Sequence, residues 1–383
     1  MKKLLWVGDA ACPSGFARAT HETLEWVRRE YDVTVLGINY RGDPHDYPYP
    51  IYAAFGGGDA FGVGRIIWMC DLVKPDVIVL QNDPWNVPSY MRQLAHFPEY
   101  KDIPVVASIA IDGKNCAAKE LNGLAKAVFW TQFALGEARQ GGYIGPAEVI
   151  PLGVDLLQYQ PMDQREARKN RNLPEEVWNS FIVGNVNRNQ PRKRWDLTIR
   201  YFAEWVKSYK VKDAFLYLHV APTGDIGVNV QQLASYYGVQ KQLAMMEPAV
   251  FYGIAEDQMR DTYCSFDVYA STTQGEGMGL PAMEAMACGV PCVLPDWAAY
   301  GDWAKDAALL VPCTSTAVGP PYNGVIGGVV DEGQYIAALD KLYRDKSARL
   351  AYGAAGARRV REDRFRWENI GQAWLEMLRE VLA

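Results

Sequence analysis

Two successive series of short apolar runs, alternating with stretches of helical period, govern what this chain can fold into. In the first half, Lys3 to Val7, Val33 to Leu36, Val77 to Leu80, Pro104 to Ile109, Ala127 to Trp130 and Glu148 to Ile150 read as strands, with helices over 16–30 and 62–73. In the second half, the strands are Phe181 to Gly184, Ala214 to His219, Val250 to Gly253, Phe266 to Ala270 and Val290 to Leu294. Helices are expected over 195–208 and 229–237, and amphipathic ones over 334–344 and 364–382. Strands that alternate with helices pair in parallel and take helices on both faces. The expectation is an α/β chain with two doubly wound parallel-sheet domains facing a central cleft, divided where periodic signal lapses after Asp155. The Thr-, Gly- and Pro-rich stretch 314–328 is expected to be a loop.

In such sheets ligands bind beyond the carboxyl ends of the strands. The most informative loop there is Gly275-Glu276-Gly277-Met278-Gly279-Leu280, which runs into Pro281-Ala282-Met283-Glu284-Ala285-Met286-Ala287-Cys288-Gly289. Pro281 suits a first helical position and Gly289 a left-handed helix end. The amides of Gly277, Met278, Gly279 and Leu280 would point outward at the positive end of the helix, a cradle for a diphosphate. Glu284 would hold a ribose diol and Glu276 a hydroxyl of a second sugar, because carboxylates accept from hydroxyls and repel phosphate. The residues thus ask for a sugar nucleotide. A plain glycine-started helix with a favourable first-turn Glu remains the bland account. The dinucleotide fingerprint competes too: Gly277-x-Gly279-x-x-Ala282, with Asp296 ending the next strand 17 residues after Gly279, would make the chain an oxidoreductase.

After the second domain's first strand comes Asn187-Arg188-Asn189-Gln190-Pro191-Arg192-Lys193-Arg194. Residues 161–212 hold twelve Lys/Arg against six Asp/Glu in a chain whose net charge is −6. Arg188 and Lys193 would neutralise a departing diphosphate as fixed cations, whereas Arg192 and Arg194 fit a solvated basic loop. In the first domain, the small loop with Gly15 offers a second phosphate contact, Asp112 would orient or deprotonate an acceptor hydroxyl, and Asp83 and Trp85, in a polar loop with one aromatic face, are candidate acceptor-binding residues. Asx turns are the default for Asn82, Asp83 and Asn115.

The remaining features bound the class. No apolar run approaches a membrane span, and Met1 to Asp9 reads as a first strand instead of a signal peptide. Seven cysteines without paired spacing suggest a reducing cytoplasm, and four scattered histidines give no support to a zinc site. Residues 1–150 carry 14 Lys/Arg against 17 Asp/Glu and no basic amphipathic helix, which disfavours docking on anionic lipid.

Arg188-x4-Lys193 together with Glu276-x7-Glu284, inside Glu-Gly-Met-Gly-Leu-Pro-x-x-Glu-Ala-Met-Ala-Cys-Gly-x-Pro, resembles a retaining glycosyltransferase of family four with the GT-B fold. The loop with Gly15, Gly153-Val154-Asp155, Phe251-Tyr252-Gly253 and Phe365-Arg366-Trp367-Glu368 extend the resemblance over nearly the whole length. It implies an acceptor-side domain 1–156, a donor domain 157–362, and a final segment 363–383 that returns to the first domain. It also implies that Glu284 binds ribose, that Glu276, residues 277–280 and Tyr252 bind the donor, and that Arg188 and Lys193 stabilise the leaving group. Gly15 would touch the phosphates. The donor would be a UDP- or GDP-sugar, with no essential metal and no permanently bound cofactor. Ile111-Asp112 stands where many members have His-Asp. The expected reaction is front-face transfer with retention to an acceptor hydroxyl, carried by a soluble glycan, a protein or a hydroxylated DNA base. A non-catalytic sugar-binding module is the third class.

Overall fold

A computed structural model of the chain describes residues 1–220, 227–245 and 254–383. It divides into two compact units: residues 1–111, 115–153 and 363–383 form the first, and residues 112–114 and 154–362 the second.

The first unit contains β1 (Lys2–Asp9), α1 (Gly15–Val27), β2 (Tyr31–Ile38), β3 (Ile51–Ala53), α2 (Ile66–Val73), β4 (Val77–Asn82) and α3 (Val87–Ala95). It continues through β5 (Val105–Ile109), β6 (Lys126–Phe129), α4 (Gln132–Gln140) and β7 (Ala147–Val149). The sheet order is β3-β2-β1-β4-β5-β6-β7, and its pairings are parallel throughout. Every residue of β4 is buried, as expected of a strand covered on both faces.

The second unit holds α5 (Gln164–Asn170), β8 (Phe181–Val186), α6 (Trp195–Ser208), β9 (Ala214–His219), α7 (Val230–Tyr237), β10 (Leu243–Met245) and α8 (Glu256–Cys264). Then come β11 (Val268–Ala270), α9 (Leu280–Ala287), β12 (Cys292–Asp296), α10 (Ala298–Trp303), β13 (Leu309–Ala317), β14 (Gly327–Val330), α11 (Glu332–Arg344) and α12 (Lys346–Arg359). Its order, β10-β9-β8-β11-β12-β13-β14, repeats that of the first sheet, except that β14 runs antiparallel to β13. The helix α13 (Trp367–Val381) belongs to the first unit. There Ile370, Trp374, Leu375 and Leu378 join a core with Leu4, Trp6 and Val35, and Trp374 lies 5.4 Å from Trp6 between ring centroids.

The two-sheet α/β architecture is as expected. Several elements differ in detail. The stretch 314–328 is not one loop: β13 runs to Ala317 and β14 starts at Gly327, so only its middle turns. Thr314, Ser315 and Thr316 are polar and all three exposed, so this end of the strand carries no apolar signal. The expected strand 250–253 lies outside the described residues, and the edge position beside β9 is taken by Leu243–Met245. Among the described residues no helix is long and apolar enough to cross a membrane.

Candidate functional site

The loop between β11 and α9 is built around two glycines that admit no side chain. A Cβ on Gly275 would stand 1.6 Å from the Asp112 carbonyl oxygen. Gly279 has φ +87°, and a Cβ there would meet the Tyr300 ring at 2.4 Å. This left-handed turn starts the helix at Leu280, one residue before Pro281. Gly289, at φ +79°, follows the helix end as the sequence predicts. Residues 277–280 are buried, and among the described residues none of their four amides donates to a protein acceptor. The turn is held instead through its carbonyls: the Trp303 indole donates to Met278 O at 2.8 Å, and the Ala299 amide to Glu276 O at 3.3 Å. Buried amides without partners cost free energy unless an acceptor is supplied.

Glu276 is 5% exposed and Lys193 7%. Lys193 ends a short 3₁₀ turn, Pro191–Lys193, after β8, and its Nζ lies 2.5 Å from Glu276 Oε1. Arg192 Nη1 donates to Glu276 Oε2 at 3.2 Å and to the Gly275 carbonyl at 2.8 Å, while its Nε is 3.4 Å from Asp112 Oδ2. The Arg192 main chain holds the same loop, its carbonyl accepting from the Gln274 amide at 2.7 Å. Residues 112–114 are tied to the loop before β14 by two backbone hydrogen bonds between Lys114 and Ile326, at 2.9 and 2.8 Å, and the Lys114 ammonium lies 4.4 Å from the Trp297 ring centroid.

Electrostatics follows from this burial. Desolvation pushes the Glu276 carboxyl up, but the charges and hydrogen bonds of Lys193 and Arg192 outweigh it and hold the pKa below its usual value. Burial pulls Lys193 down to about 8, Arg192 adds to the fall, and Glu276 and Asp112 offset part of it. Glu276 is therefore an anion at neutral pH, and Lys193 is poised to lose its proton in mildly alkaline solution. Glu284, on α9 and also 5% exposed, accepts from the Tyr263 hydroxyl of α8 at 2.5 Å. Burial and the neighbouring Glu284 charge raise Tyr263 well above its ordinary range, so the phenol stays a donor.

The structure thus brings Glu276, Lys193 and Asp112 into one charged cluster around Arg192, with Glu284 buried on the adjoining helix. Arg188 is exposed on the same loop as Lys193, its carbonyl accepting from the Trp195 indole at 3.0 Å. The expectation that Arg192 and Arg194 are solvated loop cations is corrected. Arg192 joins two carboxylates and a carbonyl. Arg194, at φ +52°, caps α6, pairs with Asp196 at 2.8 Å and accepts from Thr272 through its carbonyl. Tyr252 lies outside the described residues.

In the first unit, Gly15 opens α1 behind Ser14, whose Oγ accepts from the Ala17 amide at 3.0 Å and donates to Asp9 at 2.6 Å. The Asx-turn expectation for the loop after β4 holds only loosely: Asn82 Oδ1 accepts from the Asp83 amide and from Asn86 Nδ2, both at 2.9 Å. Asp83 and Trp85 are half-buried.

Residues 180–345 match the family model described as Glycosyl transferases group 1. The chain is 30% identical over 213 residues to the D-inositol 3-phosphate glycosyltransferase of Stackebrandtia nassauensis, covering 54% of this chain and 43% of that protein. With the protein of the same name from Geodermatophilus obscurus it shares 31% over 225 residues, 57% of this chain and 44% of that protein. The match thus spans less than half the length of these curated relatives. Among solved structures, sucrose-phosphate synthase from Thermosynechococcus elongatus superposes with a TM-score of 0.77 at 15% identity, over 100% of this chain and 99% of that one. Anabaena HepE in complex with UDP-glucose gives 0.72 at 17%, over 99% and 100%. The fold is therefore GT-B, and within it residues 180–345 match the group 1 glycosyl transferases.

Proposed function

We propose that this protein transfers a sugar from a nucleoside-diphosphate sugar to an acceptor hydroxyl, keeping the anomeric configuration and using protein cations in place of an essential metal. One observation carries the reading: four buried, unpartnered amides at residues 277–280 precede a helix flanked by two buried carboxylates and lie in the same loop as the carboxylate that Lys193 holds. Amides at a helix start bind the diphosphate, Glu284 binds the ribose, and Glu276 binds a donor-sugar hydroxyl with the carboxylate lone pairs that Lys193 and Arg192 leave unused. Lys193 and Arg188 offset the charge that builds on the leaving phosphate. The bond from the anomeric carbon to the phosphate oxygen breaks, the bond to the acceptor oxygen forms on the same face, and the acceptor proton passes to the leaving phosphate oxygen. Asp112 orients the acceptor hydroxyl. On this reading Gly15 is a further phosphate contact, residues 1–156 serve the acceptor, 157–362 the donor, and 363–383 complete the acceptor-side domain.

The UDP-glucose named with Anabaena HepE favours a UDP-sugar over a GDP-sugar. The inositol phosphate in the relatives' names favours a phosphorylated polyol or sugar as the first acceptor to try, ahead of a glycan, a protein or a hydroxylated DNA base. The test is release of nucleoside diphosphate from a panel of UDP- and GDP-sugars, followed by product analysis with candidate acceptors by mass spectrometry. Saturable release from one donor, abolished in Glu276→Ala, is expected. Absence of both binding and release across the panel would overturn the proposal.

A further inference from the structure

Arg192 is half-buried between groups that come from three separate stretches of chain. Its side chain touches the Gly275 carbonyl at 2.8 Å, Glu276 Oε2 at 3.2 Å and Asp112 Oδ2 at 3.4 Å, and its carbonyl takes the Gln274 amide and the Thr273 hydroxyl. We infer that Arg192 is a positioning residue of the transfer site, fixing the Gly275–Glu276 turn and the Asp112 carboxylate in one frame. The inference rests on the glycosyl-transfer reading.

The guanidinium suits this task because it is a rigid planar fork whose donors leave in several directions at once, while an ammonium is a point charge at the end of a flexible stem. Glu276 takes one oxygen to Lys193 and the other to Arg192, so the plane of its carboxylate is set before any sugar arrives. Asp112 is held by the same guanidinium, so a displacement of the Arg192 head moves both carboxylates together. The groups that face Lys193 are Arg192, Glu276 and Asp112. Arg192 therefore also sets the charge felt by Lys193, and its removal leaves two carboxylates with a single cation.

The test compares Arg192→Gln and Arg192→Lys with the parent protein by two readouts. The first is the pH midpoint of Lys193, followed by NMR on 13Cε-labelled lysine and assigned by its absence in Lys193→Met. The second is kcat and KM for diphosphate release. Arg192→Gln is expected to move the Lys193 midpoint upward and to lower kcat by roughly 10²-fold, the scale of a misplaced reacting group, with little change in KM. Arg192→Lys should keep the midpoint near that of the parent and still lose rate, since the charge returns without the fork. Full recovery of kcat in Arg192→Lys would overturn the positioning role, as would an Arg192→Gln protein with unchanged midpoint and rate. A parent protein that releases no diphosphate from any nucleotide sugar sinks the transfer reading, and the Arg192 frame then stands or falls on the NMR midpoint.

Discussion

The two sheets share one strand order, yet the loops at their carboxyl ends are built from different chemistry. After β1 and β4 the first unit places mainly neutral groups: Ser14 on Asp9, Asn82 on Asn86, and His21, whose Nε2 accepts from the Ala11 amide at 3.0 Å while Nδ1 pairs with the Tyr49 hydroxyl at 2.7 Å. Burial keeps that imidazole neutral by pulling its pKa to about 4, with His45 adding to the fall. After the equivalent strands β8 and β11 the second unit buries Lys193 and Glu276 and half-buries Arg192. Burying ions costs several kcal/mol each unless they are paired with good geometry, so a fold that repeats its scaffold and spends that cost after these two strands in one copy only marks the loops where charge must be met. Scaffold and chemistry are separable.

The largest effect expected is in the charged copy. Lys193→Met should lower the rate of diphosphate release by about 10²- to 10³-fold, the scale of losing one preorganised charge at a developing anion, and steady-state assays of that variant check it. Wild-type turnover there would erase the contrast between the two copies. Gly279→Ala combines a left-handed backbone with a Tyr300 clash and should cost about 2 to 4 kcal/mol of stability, read by chemical denaturation. Tyr263→Phe removes the donor to Glu284 and should weaken nucleotide binding by about 1 to 3 kcal/mol while kcat stays close to wild type. The pH profile sharpens the picture. Lys193 at about 8 loses its proton as pH rises, so kcat/KM, which reports the free enzyme, should fall on the alkaline side with a midpoint near 8. Glu276, held below its usual value, should set no limb at neutral pH. The smallest effect belongs to the neutral copy: Asp83→Ala and Trp85→Ala should leave diphosphate release unchanged and alter only transfer to an acceptor, as product analysis would show.

Much of the charged copy was legible in the sequence because its requirements are local. Gly275, Gly279 and Gly289 announce backbone that only glycine adopts or fits, and Glu276 and Glu284 straddle a helix start whose glycines and Pro281 fix the local geometry. Arg192 was misread because its partners are distant in sequence: Asp112 lies 80 residues earlier and Glu276 84 later, and a run of Arg192-Lys193-Arg194 looks alike at every position until burial sorts it. Tyr263 was missed for the same reason, since nothing in Asp261-Thr262-Tyr263-Cys264 points to Glu284. The short edge strand β3, three half-buried residues, and the polar end of β13, where Thr314, Ser315 and Thr316 are all exposed, escaped because neither holds enough alternating apolar residues to show a period of two. The neutral copy stays less legible still, because Ser, Asn and Asp serve turns and ligands with the same atoms.

Isothermal titration of the full chain with UDP, GDP and NAD⁺ tests the central claim most directly. Saturable one-to-one binding of a nucleoside diphosphate, weakened in Glu284→Ala, is the predicted result. Binding of NAD⁺ in preference to both diphosphates, or no binding of either diphosphate, would contradict it.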